Sequence, residues 1–110
     1  MMYTKLKNDI LGKGYSLSIA FVSKKKSREL NKKYRKKDKP TNVLSFALSK
    51  NLGELVLCKA VIKTEAKKQG QIIDEWTGFL VIHGMLHLKG LDHSKKLEKL
   101  ENTYLSRTKF

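Results

Sequence analysis

A chain of 110 residues has room for one hydrophobic core and is read as a single domain over residues 1–110. Its 40% hydrophobic content excludes a disordered polymer, and no apolar run reaches the ~18 residues that a membrane-spanning helix needs. The net charge of +14 is lopsided: residues 1–50 hold 14 Lys/Arg against 3 Asp/Glu, residues 51–110 only 10 against 7. So one-signed a field is neutralised best by a polyanion, and RNA or DNA is the expected partner rather than a membrane. No apolar leader follows Met1, so a cytoplasmic location is expected. The lone Cys58 ends the apolar stretch Leu55–Cys58 and reads as a small buried residue.

In chain order, Leu6, Ile10 and Leu11 are spaced for a helix over 3–12, ended by Gly12 and Gly14. Residues 16–22 read as a strand with Leu17, Ile19 and Phe21 on one face. Ser23 can cap a helix to about Lys36 that points Leu30 and Tyr34 inward. The basic residues Lys24, Lys25, Lys26, Lys32, Lys33, Lys36, Lys37 and Lys39 fall on or just after that helix and form the candidate RNA-contacting set. Lys24–Lys26 occupy the first turn, where the positive end of the helix dipole disfavours cations, an arrangement that makes sense beside an anion. Pro40 stops the helix. Strands follow at 43–48 and 54–58, joined by a turn at 51–53, then a helix over 59–69 with Gly70 as its stop. Residues 72–88 form the most apolar helix, and 94 to about 106 a last one with Leu97, Leu100, Tyr104 and Leu105 on its packing side. The expected class is α+β: a small mixed sheet of three or four strands packed against about five helices.

All three histidines lie in one stretch, His83-Gly84-Met85-Leu86-His87-Leu88-Lys89-Gly90-Leu91-Asp92-His93. His83 and His87 are four apart, so their rings leave one face of a helix a turn from each other. Gly90 can take the left-handed backbone that ends a helix, returning His93 towards that face. Three histidines with a fourth position left to water are the catalytic zinc arrangement, and one zinc ion per chain held by His83, His87 and His93 is expected. The spacing also occurs in metzincin proteases, but there a glutamate follows the first histidine as general base. Gly84 stands here, which disfavours a metalloprotease.

The histidine stretch resembles the signature of the YbeY family of bacterial endoribonucleases. A second block agrees: Leu30-Asn31-x-x-Tyr34-Arg35-x-Lys37-Asp38-x-Pro40-Thr41-Asn42-Val43-Leu44-Ser45-Phe46. The resemblance implies a single-strand-specific, metal-dependent hydrolase acting in 16S ribosomal RNA 3′-end maturation and ribosome quality control. Its zinc ligands match His83, His87 and His93, and its functional arginine falls on Arg35, expected at the mouth of the metal cleft. It also implies the 30S and 70S ribosome as partners, with a ribosome-assembly GTPase and a small-subunit ribosomal protein. The other reading from these residues is a non-catalytic assembly factor with a structural zinc. Asp92 either orients a ligand imidazole or caps the following helix. Trp76 is expected to pack behind the site rather than to stack on a base. Three departures stand out. The family usually begins with another strand, its Gly-Asp-Ile/Leu block reads Gly53-Glu54-Leu55 here, and the first turn of the Ser23-capped helix is basic where acidic residues are usual.

Overall fold

In a computed structural model the structure describes residues 3–90 and 95–106. Helix α1 (Thr4–Leu11) leads into strand β1 (Ser16–Val22), helix α2 (Lys24–Arg35), the hairpin β2 (Val43–Ser49) and β3 (Leu52–Cys58), then helices α3 (Lys59–Gln69), α4 (Ile73–Leu88) and α5 (Lys95–Ser106). Among the described residues there are three strands, ordered β1-β3-β2, with β1 parallel and β2 antiparallel to β3. This is the α+β class expected, with a mixed sheet of three strands and five helices. Strand β2 is therefore an edge.

The sheet's alternation decides which face is covered. Val43, Leu55 and Leu57 belong to one buried cluster with Leu80, Val81, Ile82, Met85 and Leu86 of α4. Gly84 packs so closely on this face that an added Cβ would lie 2.7 Å from Leu55 Cδ2, while Ser45 Oγ donates to Gly84 O at 3.3 Å. Helix α4 is apolar on most sides because it meets the sheet, α1, α3 and α5. Leu55, Leu57, Ile62, Ile82, Met85 and Leu86 are sealed from solvent, each contributing about 1.5–3 kcal/mol relative to exposure. No helix is long and apolar enough to cross a membrane among the described residues.

Three local expectations are corrected. The apolar face of β1 covers the core with Leu17 and Ile19 only; Phe21 is 53% exposed. Helix α2 turns Ser27 and Asn31 inward, at 2% and 1% exposure, and leaves Tyr34 56% exposed. The cause is a polar lock. Ser27 Oγ accepts from Thr41 N at 2.9 Å and donates to Thr41 O at 3.0 Å, and Asn31 Nδ2 donates to Lys39 O at 2.8 Å. Finally, β3 begins at Leu52, so Gly53 lies within a strand rather than a turn. Its hydrogen is required by close approach, since a Cβ there would collide with Tyr15 Oη and touch both Leu88 methyls.

Candidate functional site

The end of α4 is shaped by its sequence as expected. Gly90 takes φ +98°, open to few residues but glycine, and its N–H bonds to His87 O at 2.9 Å. One turn apart on the same helix, His83 and His87 point their Nε2 atoms at each other across 2.9 Å. His83 Nδ1 lies 3.1 Å from Glu101 Oε2 of α5, whose carboxyl group is only 4% exposed with its residue. An ionised carboxylate can only accept, so opposite Glu101 a neutral His83 ring carries its hydrogen on Nδ1 and turns its Nε2 lone pair to His87.

That arrangement suits a metal. Two nitrogens each about 2.0–2.1 Å from one tetrahedral zinc lie about 3.3–3.4 Å apart, a few tenths of an ångström beyond the separation seen here. A ligand histidine also ordinarily donates its other ring N–H to a carboxylate or carbonyl, which is what Glu101 receives. Among the described residues no group of three His, Cys, Asp or Glu side chains converges for an ion. The expected third ligand, His93, and the expected orienting residue, Asp92, both lie outside the described residues.

The histidine pair opens into a cleft of about 1340 Å³ that runs along the edge strand β2, from Thr41 to Leu48. Arg35, at the C-terminal end of α2, lines the same cleft as His83 and His87. The lysines at 24–26, 32, 33, 36, 37 and 39 do not line it; they are exposed on α2 and the loop that follows. Ser23 caps α2 as expected, its Oγ accepting from Lys26 N at 3.1 Å. Trp76 packs against the core cluster, as expected, but not wholly behind the site. It is partly buried and lines the cleft, stacked 5.1 Å from Phe79.

Glu101 and Glu98, which also lines the cleft, were missed by sequence reasoning. A signal was there: Glu101 is four residues from both Leu97 and Leu105, so a carboxylate interrupts the apolar stripe of α5. Such an interruption on a packing face needs a partner, and His83 is that partner. Gly84, by contrast, faces the sheet with its Cα against Leu55 and Ser45, where a glutamate has no room.

Comparison with known proteins shows the family. Endoribonuclease YbeY of Colwellia psychrerythraea is 46% identical over 94 residues, covering 79% of this chain and 61% of that protein. Its counterpart in Staphylococcus carnosus is 38% identical over 97 residues, covering 77% and 63%. The chain thus spans about three-fifths of the length of these curated relatives. The solution structure of TM1509 from Thermotoga maritima superposes with a TM-score of 0.67 at 28% identity, covering 96% of this chain and 79% of that one. The profile of the family described as endoribonuclease YbeY matches residues 1–108, and the chain belongs to that family.

Proposed function

We propose that this chain is a zinc-dependent, single-strand-specific endoribonuclease that acts in 16S ribosomal RNA 3′-end maturation and ribosome quality control. The observation that carries the reading is the pair of Nε2 atoms 2.9 Å apart, with buried Glu101 3.1 Å from the other nitrogen of the His83 ring, at a cleft that Arg35 also lines. The activity is supported by relatives named endoribonuclease YbeY. Its working context would be the 30S or 70S ribosome in the cytoplasm, with a ribosome-assembly GTPase and a small-subunit ribosomal protein as partners.

Each residue then has a task. His83 and His87, with His93 as third donor, would hold one zinc ion. When bound, zinc supplies positive charge and Lewis acidity at a scissile phosphate. Glu101 keeps the His83 ring turned and its Nε2 unprotonated. Arg35 presents a planar fork of donors to a phosphate and to the charge that grows on it. Lysines along α2 draw the backbone in without reading sequence.

The second reading is a non-catalytic assembly factor in which the same ion would only stiffen the region from Ile72 to His93. Elemental analysis, paired with cleavage of a small-subunit ribosomal RNA fragment before and after chelation, separates the two. An enzyme carries one zinc per chain, loses cleavage on chelation and regains it with zinc. Its His87→Ala variant keeps RNA affinity while losing cleavage by about a hundredfold or more. A zinc-loaded chain that cuts nothing is the assembly factor; a zinc-free chain that cuts equally well overturns both. RNA affinity should fall at least about tenfold between 50 and 200 mM salt.

A further inference from the structure

The cleft contains a ladder of rings that the metal chemistry does not use. Trp76 lies 5.1 Å from Phe79 at an interplanar angle of 16°, and Phe79 lies 6.3 Å from His83 at 28°. Residues 76, 79, 83 and 87 follow the helical spacing, so the ladder climbs one face of α4 and ends at the histidine pair. At 1.5 Å per residue, Trp76 stands roughly 10 Å along the axis from His83.

The indole is held by its edge. Trp76 Nε1 donates to Glu65 Oε1 at 3.2 Å, and Asn42 Nδ2 donates to the same oxygen at 3.0 Å. Asn42 Oδ1 in turn accepts from Val43 N at 2.6 Å. With its N–H committed, and with its ring packed against the core on one side and only partly buried, Trp76 is a fixed aromatic surface bordering the cleft. An aromatic surface and Arg35 line one cleft, with Glu98 and Glu101 as its carboxylates, while the lysines of α2 lie outside it. Single strands are bound by stacked bases together with cations that hold the backbone, and Trp76 and Arg35 supply one of each.

We propose that Trp76 is a stacking platform for one nucleobase of single-stranded RNA, a nucleotide or two away from the phosphate held at His83 and His87. The platform accepts any base, because every base presents a π-face to stack, while Asn42 and Glu65 hold each other and the edge of the indole. This inference rests on RNA being the substrate class, and the experiment keeps the two apart.

Trp76 is the sole tryptophan, so its fluorescence reports on this one spot. The full chain is mixed with dodecamers of adenylate or uridylate, or with an abasic ribose-phosphate chain of equal length, and read by stopped flow before turnover. Binding is followed separately by anisotropy of a label on the RNA. Both base-bearing dodecamers should quench Trp76 saturably and the abasic chain should not. Trp76→Ala should bind the adenylate dodecamer about tenfold more weakly, leave the abasic chain unaffected, and be rescued by Trp76→Phe. Equal quenching by the abasic chain, or undiminished binding by Trp76→Ala, overturns the platform while RNA binding stands. No anisotropy change with any dodecamer at low salt overturns the RNA reading itself. The wild-type quench decides the matter even if the alanine variant fails to fold.

Discussion

Helices α2 and α4 are built on opposite plans. Helix α4 is fixed by apolar side chains that fill the space against the sheet and three other helices, and it carries the histidines on the one face left facing the cleft. Helix α2 buries almost no apolar surface of its own. It is keyed to the loop at 39–41 by Ser27 and Asn31 and turns its cations outward. Close apolar packing holds the histidine-bearing helix in place, whereas directional hydrogen bonds register a charged surface without requiring it to be greasy. The contrast shows how a chain this small can set a rigid site beside a strongly cationic arm.

The sharpest way to break the contrast is a pair of truncations. Leu86→Ala empties a fully buried position and should cost about 2–5 kcal/mol, lowering the denaturation midpoint of the whole domain. Asn31→Ala removes the 2.8 Å bond to Lys39 O and should cost about 1–3 kcal/mol. Amide exchange should then locate its effect in α2 and residues 36–41, with α4 protected as before. Equal loss of protection in both helices would show that the two plans are not separable.

A smaller effect sharpens the picture at the end of α2. Lys36 holds φ +58°, a left-handed conformation that a side chain disfavours, so Lys36→Gly should raise stability by about 0.5–1 kcal/mol in urea unfolding. The smallest effect is electrostatic. Arg28 bonds both Asp38 oxygens, at 2.6 and 3.2 Å, and that hydrogen bonding holds the Asp38 carboxyl below its ordinary 3.8. A folded value below the unfolded one means that the pair stabilises above the unfolded value and is lost as pH falls through the folded one. Titration of Asp38 by NMR should therefore give a midpoint under 3.8, rising in Arg28→Ala. Both groups are exposed, so the melting temperature should scarcely move.

Much of this was legible in the residues. Helical spacing and glycine stops placed α3 and α4, and the cap at Ser23 and the turn at Gly90 were readable because each needs a particular residue type. The histidine pair followed from the same periodicity. What escaped depends on contacts between distant segments. Nothing local to Leu30 or Tyr34 reveals that Thr41 and Lys39 supply partners to the other face of α2. Nor does the sequence around Gly53 disclose that Tyr15 lies over it. Trp76 shares the spacing of a core residue, and only its bond to Glu65 on another helix explains why it borders the cleft. Glu101 was recoverable, but its partner lies 18 positions away and needed the packing of α5 on α4.

Both imidazoles spring from successive turns of one helix, so their spacing is set by helical pitch rather than by tertiary docking. The carboxylate of Glu101 comes from another helix, so the distance between the two rings is a property of α4 alone, whereas the setting of the His83 ring depends on α5 packing against it.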